Sequence, residues 1–309
     1  MTIHDTLMEK FPVRKSKEEK ETFRAWAVEY GKSLGWTGKV EKGGRISNNV
    51  VFGDPDGAAV LVTAHYDTPA NMIVPNLLIP RNVPLFVLYQ VAVVLLLFAV
   101  TLIPTALIGL VIPPYLVLLV WSILYFGALA LLMVGPANKH NANDNTSGVA
   151  AVLEAMSRIP EEQRSRVAFV LFDNEEKGLF GSSAFAKAHQ QVQFLRLVVN
   201  MDCVGYGEHM LLVSTAMARK ATGYYALEGA LKDLCPEGME AHPFDSKTCY
   251  APSDQKNFKC GTMLFACKRK KVIGFHTPRL HTGRDTECSW KNIDYVAAVV
   301  TEMTNRLGQ

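Results

Sequence analysis

Charged side chains are missing from one long internal stretch of this 309-residue chain. No aspartate, glutamate, lysine or arginine occurs between Arg81 and Lys139, although charged residues make up 20% of the whole sequence. Residues 83–103 and 115–134 form two almost wholly apolar segments on either side of Pro113-Pro114. At ~1.5 Å of rise per residue, each segment as a helix is long enough for the roughly 30 Å hydrocarbon core of a bilayer. We therefore predict a transmembrane helical hairpin.

A hairpin returns the chain to the side of the membrane that it left, so the sequences before and after it share one compartment. Residues 1–11 are polar and charged, and they lack the apolar core of a secretory signal peptide. Arg81, Lys139 and His140 flank the hairpin, and positive flanks favour the cytoplasmic side. We predict an integral membrane protein whose soluble part faces the cytoplasm. The alternative is a helical hairpin of a soluble protein, buried in a core or in an oligomer interface. The absence of a charged face that could contact water disfavours this alternative.

The sequence also lacks paired cysteines and a strong excess of charge. Its six cysteines are scattered without a CxxC pair, which in a chain without a secretory signal indicates free thiols and a reducing compartment. The formal net charge of +3 is small, and no dense basic patch with interleaved aromatic residues occurs. We therefore expect no nucleic-acid partner.

Short apolar runs alternate with helical patterns in the rest of the chain. Residues 59–64 are apolar without alternation, which is typical of a strand covered on both faces in a parallel sheet. Residues 167–172 and 195–201 are two further predicted strands. Ser16-Lys-Glu-Glu19 has the form of a capping box and predicts the start of an amphipathic helix. The pattern predicts an α/β fold with a mostly parallel central sheet, flanked by helices and interrupted by the hairpin. The predicted domain division is a soluble domain in two parts, 1–81 and 138–309, with the hairpin at 82–137 between them.

Some residues receive purely structural assignments. Residues 210–214 are predicted to form an edge strand, and Thr146 or Ser147 is predicted to cap the helix that follows. Cys203 is assigned to the core, because no CxxC or Cys–His pattern surrounds it. Two histidines are assigned to the surface: His140 and His189.

Three of the predicted strands lead directly into residue types that bind metal ions: His65 and Asp67, Glu175 and Glu176, and Asp202. Residues two apart on an extended chain point the same way, so His65 and Asp67 can reach one site. Because a ligating imidazole is usually oriented by a carboxylate, Asp67 suits that role. The simpler alternative is that these carboxylates only form turns and helix starts.

Two further residues extend the pattern. Asp144 lies in the polar loop over residues 141–148, and His281 opens the segment His-Thr-Gly-Arg-Asp-Thr286. In this chain order the motifs resemble the M28 family of co-catalytic zinc aminopeptidases, over nearly the whole chain outside the hairpin. The resemblance implies two Zn²⁺ ions, with His65 and Asp202 on one ion, Glu176 and His281 on the other, and Asp144 bridging both. It leaves Glu175 as the general base, with Asp67 as a second catalytic residue beside it.

The chemistry of these residue types agrees with the resemblance. Zinc accepts imidazole nitrogen and carboxylate oxygen, and three protein ligands per ion leave room for water. Two such ions lower the pKa of a shared water and polarise a scissile carbonyl. A carboxylate free of the ions can then take the proton from water and pass it to the leaving amine.

Three features depart from the family pattern. Leu280 stands where some soluble members have a tyrosine that is thought to stabilise the oxyanion, so Tyr250 and His276 become candidates for that role. Gln255 stands where the family segment Ser-Asp-His-x-x-Phe has its histidine. The hairpin itself is inserted between two of the expected active-site loops, which predicts a catalytic mouth near the bilayer surface.

The sequence thus predicts a membrane-anchored zinc aminopeptidase that trims short, apolar peptides with a free N-terminus at the membrane surface. A glutaminyl cyclase-like acyltransferase is one alternative, and a single bound zinc with cyclisation of N-terminal glutamine would indicate it. A catalytically inactive M28-like binding module in a membrane complex is another. The presence of every expected ligand and of Glu175 argues against the inactive module.

Overall fold

The computed structural model describes residues 1–194 and 196–307, except for the side chain of Met133. Its strands, in chain order, are β1 Gly38–Gly43, β2 Ser47–Phe52, β3 Val60–His65, β4 Val167–Phe172, β5 Leu197–Met201, β6 His209–Ser214, β7 Glu240–Asp245, β8 Gly261–Lys270 and β9 Gly274–His276. Its helices are α1 Ile3–Lys10, α2 Lys17–Ser33, α3 Val83–Gly109, α4 Pro114–Val134, α5 Thr146–Arg158, α6 Phe180–Ala188, α7 Gln190–Phe194, α8 Tyr224–Asp233 and α9 Trp290–Arg306.

The strands of the described part of the chain form one sheet in the order β1-β2-β4-β3-β5-β8-β6-β7, with β9 paired to β8. The four central strands β4, β3, β5 and β8 are parallel, and β1, β2 and β4 are joined in antiparallel pairs. Strand β6 pairs antiparallel with β8 but parallel with β7. The predicted α/β class is confirmed, and the sheet is mixed because its outer strands reverse direction.

Both faces of the sheet are covered by helices, because alternate residues of the central strands point to opposite sides. On one face Val60, Val62 and Val199 pack in the large core with helices α2, α5, α8 and α9. On the other face Leu61 and Val198 belong to a smaller cluster that includes residues of α6 and α7. The apolar runs without alternation therefore reflect burial on both faces.

The carboxyl ends of the parallel strands β3, β4 and β5 meet at one edge of the sheet. The register pairs His65, the last residue of β3, with Phe172, the last residue of β4. β5 ends at Met201, directly before Asp202. The predicted strand at 195–201 starts at Leu197 in the structure, and Leu195 itself lies outside the described residues.

Two local predictions are wrong. β6 was predicted to be an edge strand, but it lies between β8 and β7. The sequence did not predict β7, because its residues Glu-Ala-His-Pro-Phe-Asp are mostly polar and include Pro243, which suits an edge strand. Helix α5 is capped by Asn145, whose Oδ1 accepts a hydrogen bond from the Gly148 backbone N–H at 3.0 Å, rather than by Thr146 or Ser147. The predicted capping box at Ser16 and Glu19 is present at the start of α2.

Helices α3 and α4 form an antiparallel pair that is long and apolar enough to cross a membrane. α3 continues through Pro104 to Gly109, whereas the sequence predicted its end at residue 103. In apolar surroundings a helix break would leave several backbone groups unpaired, whereas a proline within the helix removes a single donor. Phe98 packs against Trp121 and Tyr125 of α4, with ring centroids 5.3 and 4.8 Å apart.

The base of this pair is hydrogen-bonded to the loop that follows β3 and to residues next to it. The Asn71 N–H donates to the Pro136 carbonyl at 2.8 Å, and the Asn138 N–H donates to the Pro69 carbonyl at 3.0 Å. The Tyr89 hydroxyl of α3 donates to the Pro75 carbonyl at 2.6 Å. These contacts fix the two apolar helices to the loop that follows β3.

Candidate metal centre

Five elements bring the predicted metal-binding residues to one cavity of about 110 Å³ at the carboxyl edge of the sheet. His65 ends β3, the acidic pair follows β4, and Asp202 follows β5. Asp144 lies just before α5, and His281 lies between β9 and α9. The lining residues of the cavity include all the predicted ligands and the predicted base: His65, Asp144, Glu175, Glu176, Asp202 and His281.

Asp144 occupies the centre of this cluster. Its Oδ1 lies 3.6 Å from His65 Nε2, and its Oδ2 lies 3.0 Å from His281 Nε2. His65 Nε2 is also 3.8 Å from Asp202 Oδ1, and His281 Nε2 is 3.2 Å from Glu176 Oε2. The cluster therefore contains two triads that share Asp144, with one carboxylate oxygen directed at each histidine.

The donor set fits two divalent cations. For ligands at roughly 2.1 Å from a tetrahedral zinc ion, neighbouring ligand atoms lie about 3.4 Å apart, which is the range seen within each triad. The second oxygen of Glu176, Oε1, is buried and accepts no hydrogen bond from the described residues. A buried acceptor of this kind is normally satisfied by a hydrogen-bond donor or by a cation, and a metal ion at the triad would supply the latter. Imidazole and carboxylate are the ligand types that zinc prefers.

The electrostatics of the cluster are dominated by its buried carboxylates and imidazoles. Burial, together with the nearby Asp144 carboxylate, raises the pKa of Glu176 to about 8 despite the opposing effect of His281. Burial acts to lower the pKa of His281, but the Glu176 and Asp144 carboxylates outweigh it and raise that pKa to about 9. These shifts show that the buried carboxylates favour positive charge at this position, which is the condition that binding of a divalent cation requires.

Asp67 contacts both the histidine and the acidic pair. Its Oδ1 lies 3.6 Å from His65 Nδ1. Its carboxylate also accepts hydrogen bonds from the backbone N–H groups of Glu175 at 2.9 Å and Glu176 at 3.3 Å. Burial opposes ionisation, but His65 outweighs it and holds the pKa of Asp67 below its usual value. Asp67 therefore positions the turn that carries both glutamates, a contact that the sequence did not predict.

Glu175 belongs to the same cavity as the two triads. One potential ligand atom from each of His65, Glu175 and Glu176 lies within 4.8 Å of the other two. Burial, reinforced by the nearby carboxylates of Glu176 and Asp202, raises the pKa of Glu175 well above its ordinary value against the opposing effect of His65. A carboxylate with such a pKa can hold a proton at neutral pH.

Two residues that orient the centre were missed by sequence reasoning. Asp285 accepts hydrogen bonds from the backbone N–H groups of Asn143 at 3.1 Å and Asp144 at 2.9 Å, so it holds the loop that carries the central carboxylate. Asn145 accepts from the Cys203 N–H at 3.1 Å and donates to the Met201 carbonyl at 3.0 Å, which ties this loop to the end of β5. A sequence signal existed for Asp285, because it is the aspartate of the segment that His281 opens.

Cys203 lies at the site, although the sequence assigned it to the core. It lines the cavity, and burial together with Asp144 and Asp202 raises the pKa of its thiol well above the usual value. Its backbone is left-handed, with φ of 58°, as are those of Asn174 (57°) and His281 (61°). Non-glycine residues in this conformation are uncommon and concentrate at functional sites.

The candidates for an oxyanion donor lie elsewhere. Among the described residues, Leu280 lines the cavity, but Tyr250 and His276 do not. Tyr250 packs on Phe86 with ring centroids 5.3 Å apart, and His276 Nδ1 is 3.1 Å from the Gly274 carbonyl oxygen. Gln255 is buried and donates to the Ala251 carbonyl at 2.6 Å.

The histidines that the sequence assigned to the surface lie away from the cavity. His140 is exposed. His189 is half-buried between two carboxylates, 2.7 Å from Asp56 Oδ2 and 2.9 Å from Glu41 Oε1.

The fold and this centre define a class: α/β proteins with a carboxylate–imidazole site for two cations at the carboxyl ends of parallel strands. The sequence profile described as Peptidase family M28 matches residues 130–304, more than half of the chain. The chain therefore belongs to peptidase family M28. No curated protein matches it in a sequence comparison.

Solved structures of low sequence identity share the fold. A Zn-dependent exopeptidase from Parabacteroides distasonis is similar over 98% of this chain and 96% of its own, with 14% identity and a TM-score of 0.63. A leucine aminopeptidase precursor from Bacteroides thetaiotaomicron is similar over 97% of this chain and 93% of its own, with 13% identity and a TM-score of 0.59. A glutaminyl cyclase from Porphyromonas gingivalis is similar over 99% of this chain and 97% of its own, with 14% identity and a TM-score of 0.61.

Proposed function

We propose that this M28 family member is a membrane-anchored aminopeptidase that uses two zinc ions to remove N-terminal residues from short, apolar peptides at the membrane surface. One observation carries the proposal. Asp144 directs one carboxylate oxygen at His65 and the other at His281, and Glu175 lies in the same cavity. This arrangement provides two adjacent cation sites and a separate carboxylate for proton transfer.

In the proposed enzyme, each zinc ion has three protein ligands. His65, Asp144 and Asp202 hold one ion, and Asp144, Glu176 and His281 hold the other. When bound, the ions polarise the scissile carbonyl and acidify the attacking water. Glu175 would take a proton from that water and deliver it to the leaving amine, and its position in the cavity beside both triads supports this role. Asp67 keeps His65 and the glutamate turn in place.

The charge and shape of the cavity support a substrate with a free N-terminus and an apolar first residue. The excess of buried carboxylates attracts a substrate ammonium group. Much of the remaining wall is apolar, and it is made by Leu78, Phe86, Met263, Phe265 and Leu280. Such a wall favours an apolar side chain over a polar one, which would lose its hydrogen bonds to water.

Phe86 links the cavity to the apolar helix pair, because it lies in the first turn of α3. The cavity therefore opens next to the point where α3 begins. We propose that residues 82–137 form a transmembrane hairpin inserted into one catalytic domain, made of residues 1–81 and 138–309. A peptide that partitions to the bilayer surface would then meet the active site directly.

Basic residues beside the start of α3 support a cytoplasmic orientation. Arg81 shares a cavity of about 440 Å³ with Arg269, Lys271 and Val272 of the β8–β9 hairpin. Val272 is 86% exposed at the tip of that hairpin. Positive charge with an exposed apolar residue suits the anionic surface of a cytoplasmic leaflet.

A glutaminyl cyclase is the second candidate, since structures of that activity resemble this chain as closely as the exopeptidases do. The two candidates differ in chemistry at the substrate N-terminus. The test uses the full-length protein in detergent, with metal analysis and three peptide groups: free N-termini with apolar first residues, N-terminal glutamine, and blocked N-termini. We expect two zinc ions at the catalytic centre, counted as those lost or weakened when its ligands are replaced, and release of the first residue from the first group. Cyclisation of N-terminal glutamine with one zinc ion, or cleavage of blocked peptides, would overturn the proposal.

A further inference from the structure

A second group of metal-ligand residues lies on the outer strands of the sheet. His209 is the first residue of β6, and Glu240 and His242 belong to the neighbouring strand β7. The parallel register places His209 opposite Glu240, and alternate residues of a strand share one face. None of the three lines the active-site cavity. The catalytic centre therefore does not account for this group.

The three side chains converge on one point. His209 Nδ1 lies 3.1 Å from His242 Nε2, His242 Nε2 lies 3.3 Å from Glu240 Oε2, and His209 Nδ1 lies 3.6 Å from the same oxygen. These three distances lie on either side of the separation of about 3.4 Å expected between ligand atoms on a tetrahedral zinc ion. One atom from each residue thus forms a triangle that a single ion can cap.

The surroundings hold the imidazoles in place. His209 is 7% exposed, and its ring packs against Phe275 with centroids 5.3 Å apart. The ring of His242 lies between Phe244 and Phe275, at 6.0 and 5.0 Å. The other ring nitrogen of His209, Nε2, is 3.8 Å from Glu208 Oε1. At this distance the carboxylate adds negative charge near the ring but accepts no direct hydrogen bond from it, so packing on Phe275 is what holds the imidazole.

We propose that His209, Glu240 and His242 bind a divalent transition-metal ion, for which zinc is the best match to two imidazoles and one carboxylate. The ion would join β6 to β7, which is the last strand at this side of the sheet. Arg269 stacks on the Phe275 ring at 5.2 Å and adds positive charge nearby. This site should therefore hold zinc less tightly than the carboxylate-rich catalytic centre.

The test is a zinc titration of the full-length protein in detergent. A chelator first removes bound metal, and elemental mass spectrometry then counts the zinc ions bound per chain. We expect His242→Ala to bind one zinc ion fewer per chain than the unmodified protein. Glu240→Gln, which keeps the shape of the side chain, should weaken the same binding step. The matched control is His189→Ala, which removes another histidine held between two carboxylates and should leave the count unchanged.

Equal zinc counts for His242→Ala and the unmodified protein would overturn the proposal and leave a simple hydrogen-bonded histidine pair. An equal loss in His189→Ala would do the same, since it would indicate nonspecific surface binding. The proposed peptidase is tested separately. His281→Ala should lose a catalytic-site ion and keep the β6–β7 ion, whereas His242→Ala should keep peptidase activity.

Discussion

At the scale of single residues, the two adjacent glutamates have different surroundings. Glu176 Oε2 lies 3.2 Å from His281 and belongs to a ligand triad. Glu175 lines the cavity beside it, and both backbone N–H groups are held by Asp67. Neighbouring residues in a turn point in different directions, which allows one glutamate to bind metal while the other faces substrate.

Replacing the proposed base should abolish turnover without removing metal. Glu175→Gln keeps the size of the side chain but cannot accept the proton, so we expect kcat to fall by about 10²–10⁴-fold. Metal analysis should still find the same number of ions per chain. Glu18→Gln, an exposed glutamate on α2, serves as the control and should have normal activity. Near-normal turnover of Glu175→Gln would exclude Glu175 as the base.

Zinc loading of the catalytic centre should strengthen as pH rises. Without metal, the pKa of His281 is raised to about 9 and that of Glu176 to about 8, so protons bound by this pair compete with a metal ion at neutral pH. A metal ion binds only the deprotonated groups, so binding releases protons and the apparent affinity rises until pH reaches about 9. Titration calorimetry in buffers of different ionisation enthalpy measures this release. An affinity that is constant between about pH 6 and 9 would contradict the assignment of these two ligands.

At the scale of elements, helix α3 serves both the apolar pair and the active-site cavity. Its first turn carries Phe86, which lines the cavity and packs on Tyr250. Tyr250 in turn donates its backbone N–H to the Pro80 carbonyl at 2.7 Å, just before the helix begins. The position of α3 and the shape of the substrate pocket are therefore coupled.

Truncating Phe86 should weaken the binding of apolar substrates more than it slows the reaction. Phe86→Ala removes apolar wall area without touching the ligand triads, so we expect KM for peptides with an apolar first residue to rise by roughly 10-fold. The value of kcat should change little. Phe126→Ala is the matched control, since Phe126 is 65% exposed on α4 and lies away from the cavity. A similar change of KM in both variants would point to a general effect on the helix pair.

At the scale of the whole molecule, hydrogen bonds at its base attach the apolar helix pair to the α/β part of the chain. The exposed surface of the pair is apolar, with residues such as Leu88 and Leu95 each 63% exposed. A surface of this extent in water would drive aggregation, whereas a bilayer would cover it. The proposed hairpin accounts for this surface.

Removing the hairpin should convert the protein into a soluble domain. We expect deletion of residues 82–137, with a short flexible linker from Arg81 to Asn138, to move the protein from the membrane fraction to the soluble fraction. Metal content should persist, because every ligand of the catalytic centre lies outside the deleted segment. Ultracentrifugation with metal analysis measures both properties, and the full-length chain is the control. A folded product that stays fully in the membrane fraction would contradict the hairpin assignment.

The sequence by itself determined the α/β class, the two apolar helices and the candidate ligands. A strand covered on both faces must be apolar throughout, and a helix facing lipid must lack charge, so both leave strong local signals. Three of the ligands, His65, Glu176 and Asp202, were visible because they end or follow such strands, whereas Asp144 and His281 came from the family resemblance. These signals depend on burial and spacing along the chain, which the sequence records.

Only the tertiary structure decided which atoms meet. The two oxygens of Asp144 face different histidines, Asp285 holds the loop of Asp144, and Phe86 of α3 reaches the substrate cavity. The pairing of β7 beside β6 likewise created the second cluster of possible metal ligands. These contacts join residues far apart in the chain, and their geometry follows from strand order and loop packing rather than from any local pattern.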